Sequence, residues 1–202
     1  MPRHLGLVFA TALEANPLVA RVGARLEPDT RFPIYEGTSA SMTVLISGMG
    51  KVNAALGAAH LIQSYAVDEV WNLGLCGALT PDFSPGDLRR ISEAREGDRD
   101  PTHPGVEALR LPADIGPPLP SARLVTVDLP VFEPERRRAL SSWGELVDME
   151  GAAVARACAL WGVPCLLLKG VSDRADVDGK AHLLSNAIRI SEALADIAVW
   201  PT

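Results

Sequence analysis

The chain has 202 residues, of which 48% are hydrophobic and 22% charged, and it carries a formal net charge of −6. This composition is typical of a globular protein with a sizeable core, and we expect one domain over residues 1–202. The acidic balance and the lack of a basic block argue against nucleic acid or an anionic membrane as the main partner.

The first half of the chain alternates between short apolar runs and helical patterns. Apolar runs of strand length are followed by glycine turns or by amphipathic stretches, which predicts βα units. The predicted strands are Leu5–Thr11, Ser41–Ser47 and Val70–Leu75, and the predicted helices are Ala12–Arg25 and Lys51–Ala66.

The second half continues this alternation after an irregular middle. The polar segment within residues 95–121 is predicted to be a solvated loop, although a loop at this place could also fold over a ligand. Strands are predicted at Leu88–Arg95, Ala122–Asp128 and Val163–Val171, and helices at Pro134–Trp143, after Glu150 and at Lys180–Trp200. The order predicts a single α/β domain with a largely parallel sheet flanked by helices.

Cysteine and histidine spacing give no sign of a metal site. Cys76, Cys158 and Cys165 lie in apolar runs without Cys-x-x-Cys spacing, which favours reduced, buried thiols and a cytoplasmic location. The four histidines form no i, i+4 pair, so neither a metal nor another cofactor is predicted. The N-terminal apolar stretch is too short to span a bilayer and shows no signal-type cleavage pattern, and no membrane insertion is expected.

Carboxylates stand where predicted strands end. Glu14 follows the first strand, Asp148 and Glu150 precede an alanine-rich helix, and Asp173 follows the last strand. Open α/β sheets bind ligands at the carboxyl ends of their strands, so we expect these acids to converge on an uncharged, hydroxyl-rich substrate. In an extended segment Asp148 and Glu150 would face one side and Met149 the other.

Each acid also has a purely structural interpretation. Asp148 and Glu150 could only cap the helix that follows, and Asp173 after Ser172 could only cap a turn. The Gly48-Met49-Gly50 turn lacks the third glycine of a dinucleotide fingerprint, and no Walker or Gly-x-Ser-x-Gly motif is present.

Four motifs in order resemble the nucleoside phosphorylase and nucleosidase superfamily. They are SGMGKVNAA, NLGLCGALTPDFSPGD, VDMEGAAVARAC and GVSDRAD, and they span nearly the whole chain. They look most like 5′-methylthioadenosine/S-adenosylhomocysteine nucleosidases, with futalosine- and hopanoid-associated nucleosidases as related branches. The resemblance implies a central mixed, curved sheet and a homodimer or higher homo-oligomer.

The resemblance also implies roles for residues that match the motifs. Glu14 would activate the attacking water, Asp173 with Ser172 beside it would protonate the purine, and Glu150 would bind the ribose hydroxyls against Met149. Hydrolysis of an N-glycosidic bond requires such an acid and such an acceptor, because the sugar becomes cationic and the base is a poor leaving group. Further candidate contacts with a nucleoside are Asp148, Leu75, Cys76, Gly77, Val131 and Phe132.

Some positions depart from the family pattern. Leu75 replaces a hydroxyl residue and Lys169 replaces the usual arginine, so the exact substrate is left open. The missing hydroxyl at Leu75 and the acid Glu14, which would repel phosphate, favour water over phosphate, with a nucleoside phosphorylase or an inactive nucleoside-binding relative as alternatives. Asp173 favours an adenine-type base. Phe132 either stacks on the purine or belongs to the core, and the arginines at 89, 90 and 136–138 either bind a charged tail or are simply solvated.

Overall fold

In the computed structural model the chain forms a mixed β-sheet with helices on both faces. The structure describes residues 3–37, 41–100 and 107–199. The ten strands of these residues are β1 Leu5–Phe9, β2 Arg25–Leu26, β3 Ile34–Glu36, β4 Met42–Ile46, β5 Glu69–Ala78, β6 Leu88–Glu96, β7 Leu109–Arg110, β8 Ser121–Thr126, β9 Leu146–Asp148 and β10 Cys165–Asp173. The five helices are α1 Ala12–Val22, α2 Lys51–Tyr65, α3 Pro134–Ser141, α4 Gly151–Trp161 and α5 Gly179–Ala198. The predicted α/β class is confirmed.

The strand pairings close part of the sheet into a ring. Strand order runs β10-β6-β8-β9-β5-β1-β4-β3-β2, and β10 also pairs with β5, so β5, β10, β6, β8 and β9 form a closed circuit. Pairings of β5 with β1 and β10 are parallel, whereas β5 with β9 and β10 with β6 are antiparallel. Because β9 pairs with Gly77 and Ala78, its chain runs back toward the middle of β5.

Two hydrophobic clusters lie on opposite faces of the sheet. One includes side chains of α2 and α4, and the other packs α1 and α5 against β1, β4 and β10. Every residue of β4 and of β10 is buried, as expected for strands covered on both faces. Lys169 lies in the middle of β10 and is buried with them.

Local signals position the helices that approach the site. Thr11 and Glu14 form a capping box at the start of α1, and Gly23 ends that helix in the left-handed conformation. Gly48 and Gly50 have φ of 88° and 94°, which glycine adopts without steric cost, and they turn the chain from β4 into α2.

Several predicted boundaries were wrong. The first helix ends at Val22 rather than at residue 25, because Gly23 caps it, and β5 continues through Ala78, beyond the predicted end at Leu75. The short strands β2, β3 and β7 were missed, since two or three residues carry no readable alternation. Strand β9 is antiparallel to β5, so the sheet is mixed where a largely parallel sheet was predicted.

Candidate active site

A cavity of about 290 Å³ opens where β5, β9 and β10 meet the N-terminal ends of α1 and α2. All eleven residues singled out from the sequence line this one cavity. They are Glu14, Leu75, Cys76, Gly77, Val131, Phe132, Asp148, Met149, Glu150, Ser172 and Asp173. Acids that are up to 159 positions apart in the chain therefore face the same space.

The carboxylate of Glu14 is held by three donors. Its Oε2 accepts from the backbone N–H of Thr11 at 2.9 Å and from its hydroxyl at 2.8 Å, and its Oε1 accepts from the backbone N–H of Leu75 at 3.0 Å. A Cβ atom on Gly74 would lie 2.9 Å from Oε1, so glycine is needed for this approach. The capping-box glutamate of α1 is thus also a fixed acceptor inside the cavity.

Asp148 and Lys169 form an ion pair in the interior. Lys169 Nζ lies 2.8 Å from Asp148 Oδ2, the two side chains are 1% and 0% exposed, and Nζ also donates to Asn72 Oδ1 at 2.7 Å. Asp148 further accepts from the Thr126 hydroxyl at 2.6 Å and from the backbone N–H of Gly151 at 2.8 Å. With these partners Asp148 serves the structure, because its oxygens are already occupied.

Burial alone would lower the pKa of Lys169, but the surrounding carboxylates outweigh burial. The negative charges of Asp148, Glu150 and Glu14 raise the pKa above its ordinary value, so the ammonium stays charged. Three carboxylates face this one cation, which leaves the site with an excess of negative charge. Such an excess favours a ligand that becomes positive.

Glu150 is the acid most strongly perturbed toward the neutral form. Burial and the charge of Asp148 raise its pKa to about 7, while Lys169 and the backbone N–H of Gly50 oppose the shift. That N–H donates to Glu150 Oε1 at 2.8 Å, and the other oxygen has no protein partner among the described residues. Glu150 can therefore accept hydroxyl groups of a bound ligand.

Asp173 is a buried carboxyl group that accepts two hydrogen bonds. Its Oδ1 accepts from the backbone N–H of Ala175 at 2.8 Å, and its Oδ2 lies 2.6 Å from Ser172 Oγ. Ser172 Oγ also lies 3.1 Å from the carbonyl oxygen of Cys76. The Ser172 hydroxyl donates to Asp173 Oδ2, and this bond and that of the Ala175 N–H favour the ionised carboxylate. Burial is the larger effect and raises the pKa of Asp173 above its ordinary value, which favours the protonated form.

Apolar side chains form the remaining wall and the rim. Val131 is buried, and Phe132 lies over the start of α5, where a Cβ on Gly179 would meet its ring at 2.8 Å. Leu13, Met49 and Leu184 line the cavity although they are 43%, 64% and 66% exposed, so they mark its mouth. Burial raises the pKa of the Cys76 thiol, which keeps it neutral and unsuited to act as a nucleophile.

The structure corrects some details of the sequence interpretation. Met149 faces the cavity together with Asp148 and Glu150, because β9 ends at Asp148 and Glu150 has φ −133° and ψ −40°, which breaks the expected alternation. The capping hypothesis holds for Asp148, which binds the Gly151 N–H, whereas Glu150 makes no side-chain cap.

The basic residues considered for a charged tail lie outside the cavity lining. Arg89 contacts Asp87 and the Phe83 ring, and Arg136 pairs with Asp98 at 3.1 Å. The start of the predicted solvated loop is also tied down, because Glu96 and Asp98 bind Lys51. Residues 101–106 of that loop lie outside the described residues.

The cavity residues on α5 and the buried Lys169 beside the site were not identified as site residues from the sequence. Leu183, Leu184 and Ala187 come from α5, which reads as an ordinary closing helix. Lys169 was noted only as a replacement, but a lysine in the middle of an apolar run of strand length is itself a signal for a buried ion pair. Within residues 3–37, 41–100 and 107–199 no cluster of His, Cys, Asp and Glu could hold a metal, and no helix could span a membrane.

The model of the phosphorylase superfamily matches residues 4–199. The chain belongs to this superfamily. Curated relatives in it include 5′-methylthioadenosine/S-adenosylhomocysteine nucleosidases from a species of Exiguobacterium, 30% identical over 199 residues with 85% of each chain covered, and from Shewanella putrefaciens, 29% identical over 212 residues with 92% covered. The resemblance stated from the sequence motifs is confirmed.

Solved structures of the superfamily share the fold of this chain. A Helicobacter pylori 5′-methylthioadenosine/S-adenosylhomocysteine nucleosidase in complex with a substituted pyrrolidin-3-ol superposes with a TM-score of 0.89 at 24% identity, covering 97% of this chain and 96% of that one. Futalosine hydrolase of the same organism gives a TM-score of 0.89 at 23% identity, covering 97% and 95%. At this identity the likeness establishes the fold.

The buried ion pair generates a prediction about stability. Asp148→Asn and Lys169→Met should each lower the free energy of unfolding by about 3–5 kcal/mol, because each leaves one buried charge unpaired. The double variant should recover most of that loss. Chemical denaturation measures all three. Arg21→Met is the control, since Arg21 pairs with the largely exposed Asp196, and it should cost less than about 1 kcal/mol. Additive losses in the double variant would contradict the pairing.

The pKa of Glu150 generates a prediction about pH. If ionised Glu150 binds the ligand hydroxyls, kcat/KM should fall as pH drops through about 7, because protonation removes the acceptor. Steady-state assays of nucleoside cleavage from pH 5 to 9 measure this limb. Glu150→Gln should lower kcat/KM and flatten the limb near pH 7. A limb that persists unchanged in Glu150→Gln would assign it to another group.

Proposed function

We propose that this protein hydrolyses the N-glycosidic bond of a 5′-modified adenosine, releasing adenine and the free sugar. The observation that carries the proposal is the convergence of Glu14, Glu150 and Asp173 on one cavity. Curated relatives with this function provide independent support. The protein is then an enzyme, and its own residues supply an acid, a base and a hydroxyl acceptor without a cofactor.

Asp173 is proposed to donate the proton that the departing base needs. As the bond between C1′ and the purine nitrogen breaks, its electron pair moves into the base, and a proton on the imidazole side neutralises it. Burial raises the pKa of Asp173 and so favours a protonated carboxyl group, against the hydrogen bonds from Ser172 and the Ala175 N–H, which lower the pKa. The absence of side chains on Gly77 and Gly179 leaves room around its Oδ1, since Cβ atoms there would lie 3.0 and 3.1 Å away.

The other two carboxylates act on the sugar and on water. Glu150 accepts the ribose hydroxyls against Met149, and this bond strengthens as the ring turns cationic, so it stabilises the transition state more than the bound substrate. Glu14 orients a water molecule and takes its proton as the oxygen bonds to C1′. The three donors to Glu14 keep its carboxylate in place for this step.

Water is preferred over phosphate as the nucleophile. No arginine, lysine or histidine lines the cavity among the described residues, and the ammonium of Lys169 is occupied by Asp148 and Asn72. A phosphate dianion would approach Glu14 and Glu150 without a compensating cation, which electrostatics opposes. A phosphorylase is the alternative, and it predicts a sugar 1-phosphate as product.

The apolar mouth supports a nucleoside whose 5′ position carries an apolar group. Leu13 and Met49 neighbour Glu14 and Gly50 in the chain, and so lie at the sugar end of the proposed site. Phe132 and Val131 are proposed to contact the adenine, with Leu75, Cys76 and Gly77 along the floor. Asp148 contributes indirectly, by holding Lys169.

We further propose a cytoplasmic homodimer. The three cysteines are free and buried, which fits a reducing compartment. Val52 and Leu56 lie one turn apart on α2 and are 72% and 57% exposed, forming an apolar face beside the cavity mouth at Met49. A second copy of the chain packed on this face would cover it.

The acid role generates the central functional prediction. In phosphate-free buffer the purified protein should release adenine and free sugar from 5′-methylthioadenosine, and Asp173→Asn should lower kcat by about 10²–10⁴-fold because the base leaves unprotonated. Chromatography of base and sugar measures both. Asp178→Asn, an exposed acid outside the cavity, is the matched control. Full activity in Asp173→Asn, or turnover only with phosphate, would refute the proposal.

The homodimer generates a separate prediction. Light scattering should give a mass of about twice 21.5 kDa. The double change Val52→Glu and Leu56→Glu should produce monomers, because the introduced carboxylates would be desolvated in the interface without a cationic partner. Leu26→Glu, at a 58% exposed leucine on β2, serves as the control and should leave the mass unchanged. A monomer in the unaltered protein would contradict this proposal alone.

A further inference from the structure

Lys51 breaks a local rule at the beginning of α2. It is the first residue of the helix, where a cation opposes the positive end of the helix dipole, and the first turn contains no acidic residue. Its side chain is nevertheless only 13% exposed. A lysine that opposes the helix dipole and is nevertheless partly buried indicates that its side chain has a role outside its own helix.

Three carboxylates surround the Lys51 ammonium. Nζ lies 3.4 Å from Glu96 at the end of β6, 3.2 Å from Asp98, and 3.2 Å from Asp128 beyond β8. Burial lowers the pKa of Lys51, but hydrogen bonds and the charges of Asp98 and Asp128 raise it overall, so the cation persists. One side chain therefore joins the start of α2 to the ends of two other strands. We name these four residues the Lys51 cluster.

The cluster adjoins the donor that holds Glu150. Gly50 immediately precedes Lys51, and its N–H donates to Glu150 Oε1 at 2.8 Å. Gly50 has φ 94°, and a Cβ there would meet no atom within 4 Å, so its own packing does not hold the turn. Besides the Lys51 cluster, three hydrogen bonds hold the turn: the Asn53 amide donates to the Met49 carbonyl at 2.9 Å, the Ser47 hydroxyl to the Gly48 carbonyl at 2.8 Å, and the Ala54 N–H to the Gly50 carbonyl at 3.0 Å.

We propose that Lys51 is a positioning residue for ribose binding, acting through the Gly50 N–H on Glu150. This inference rests on the proposed function of Glu150. The Lys51 cluster fixes the start of α2 against β6 and β8, and so keeps one oxygen of Glu150 occupied by Gly50 and the other free for the sugar. Lys51 does not itself line the cavity.

The pH profile separates this positioning role from a merely structural one. The groups that act on Glu150 are Asp148, Lys169, Glu14 and the Gly50 N–H, and the N–H favours its ionised form. Loss of Lys51 loosens the N–H contact, which moves the pKa of Glu150 upward. A general loss of packing would lower the melting temperature and, by exposing Glu150 to water, would move that pKa downward or not at all, because burial raises it.

The test compares Lys51→Met with Lys51→Arg in the full chain. Lys51→Met should raise KM for the nucleoside, lower kcat/KM about tenfold, and shift the acid limb of kcat/KM to higher pH. Lys51→Arg should restore kcat/KM to within about threefold, because a guanidinium can pair with the same carboxylates. An unmoved acid limb in Lys51→Met, or failure of Lys51→Arg to restore activity, overturns the proposal.

Arg136→Met is the matched control. Arg136 binds Asp98 of the same network at 3.1 Å but has no chain neighbour in contact with Glu150, so the acid limb should stay in place. A shift as large as that of Lys51→Met would show that any disturbance of Asp98 suffices, and would overturn the specific role of Lys51.

A spectroscopic readout keeps this test independent of catalysis. The ¹³C carboxyl resonance of Glu150, assigned by its loss in Glu150→Gln, reports its pKa directly. Lys51→Met should raise that pKa whether or not adenine is released. If the unaltered protein cleaves no nucleoside, the proposed function fails while the NMR titration still decides whether Lys51 acts on Glu150.

Discussion

A single buried ammonium makes the site possible. The negative charges of Asp148, Glu150 and Glu14 keep the ammonium of Lys169 charged in spite of its burial. Asp148 and Asn72 fix its Nζ by direct contacts. The cation offsets part of the negative charge, and the remaining excess matches a sugar that becomes positive as its bond to the base breaks.

The neighbouring acids Asp148 and Glu150 have different roles, one structural and one in ligand binding. Asp148 gives its oxygens to Lys169, Thr126 and the first N–H of α4, whereas Glu150, two residues later, leaves one oxygen open to the cavity. Glu14 combines both functions, since the hydrogen bonds of its capping box also orient its carboxylate. Because these carboxylates lie at the ends of strands and helices, the regular structure of the fold keeps them in place.

The sequence was informative where a signal was local. Strands β1, β4 and β10 are largely apolar runs, and Glu14 after β1 and Asp173 at the end of β10 line one cavity, as expected from their positions after strands. The antiparallel return of β9 onto β5, the ring of strands and the direction of Met149 depend on tertiary pairings that no short window encodes. The contribution of α5 to the cavity rim was hidden for the same reason.

The central claim is that burial, Asp148 and Lys169 together set the ionisation of Glu150. The most direct measurement is the ¹³C titration of the Glu150 carboxyl in the unaltered protein, in Lys169→Met and in Asp148→Asn. Because Lys169 lowers the pKa of Glu150 and Asp148 raises it, the two variants should move it in opposite directions from about 7, upward and downward respectively. Shifts in the same direction, or none in either variant, would contradict the account.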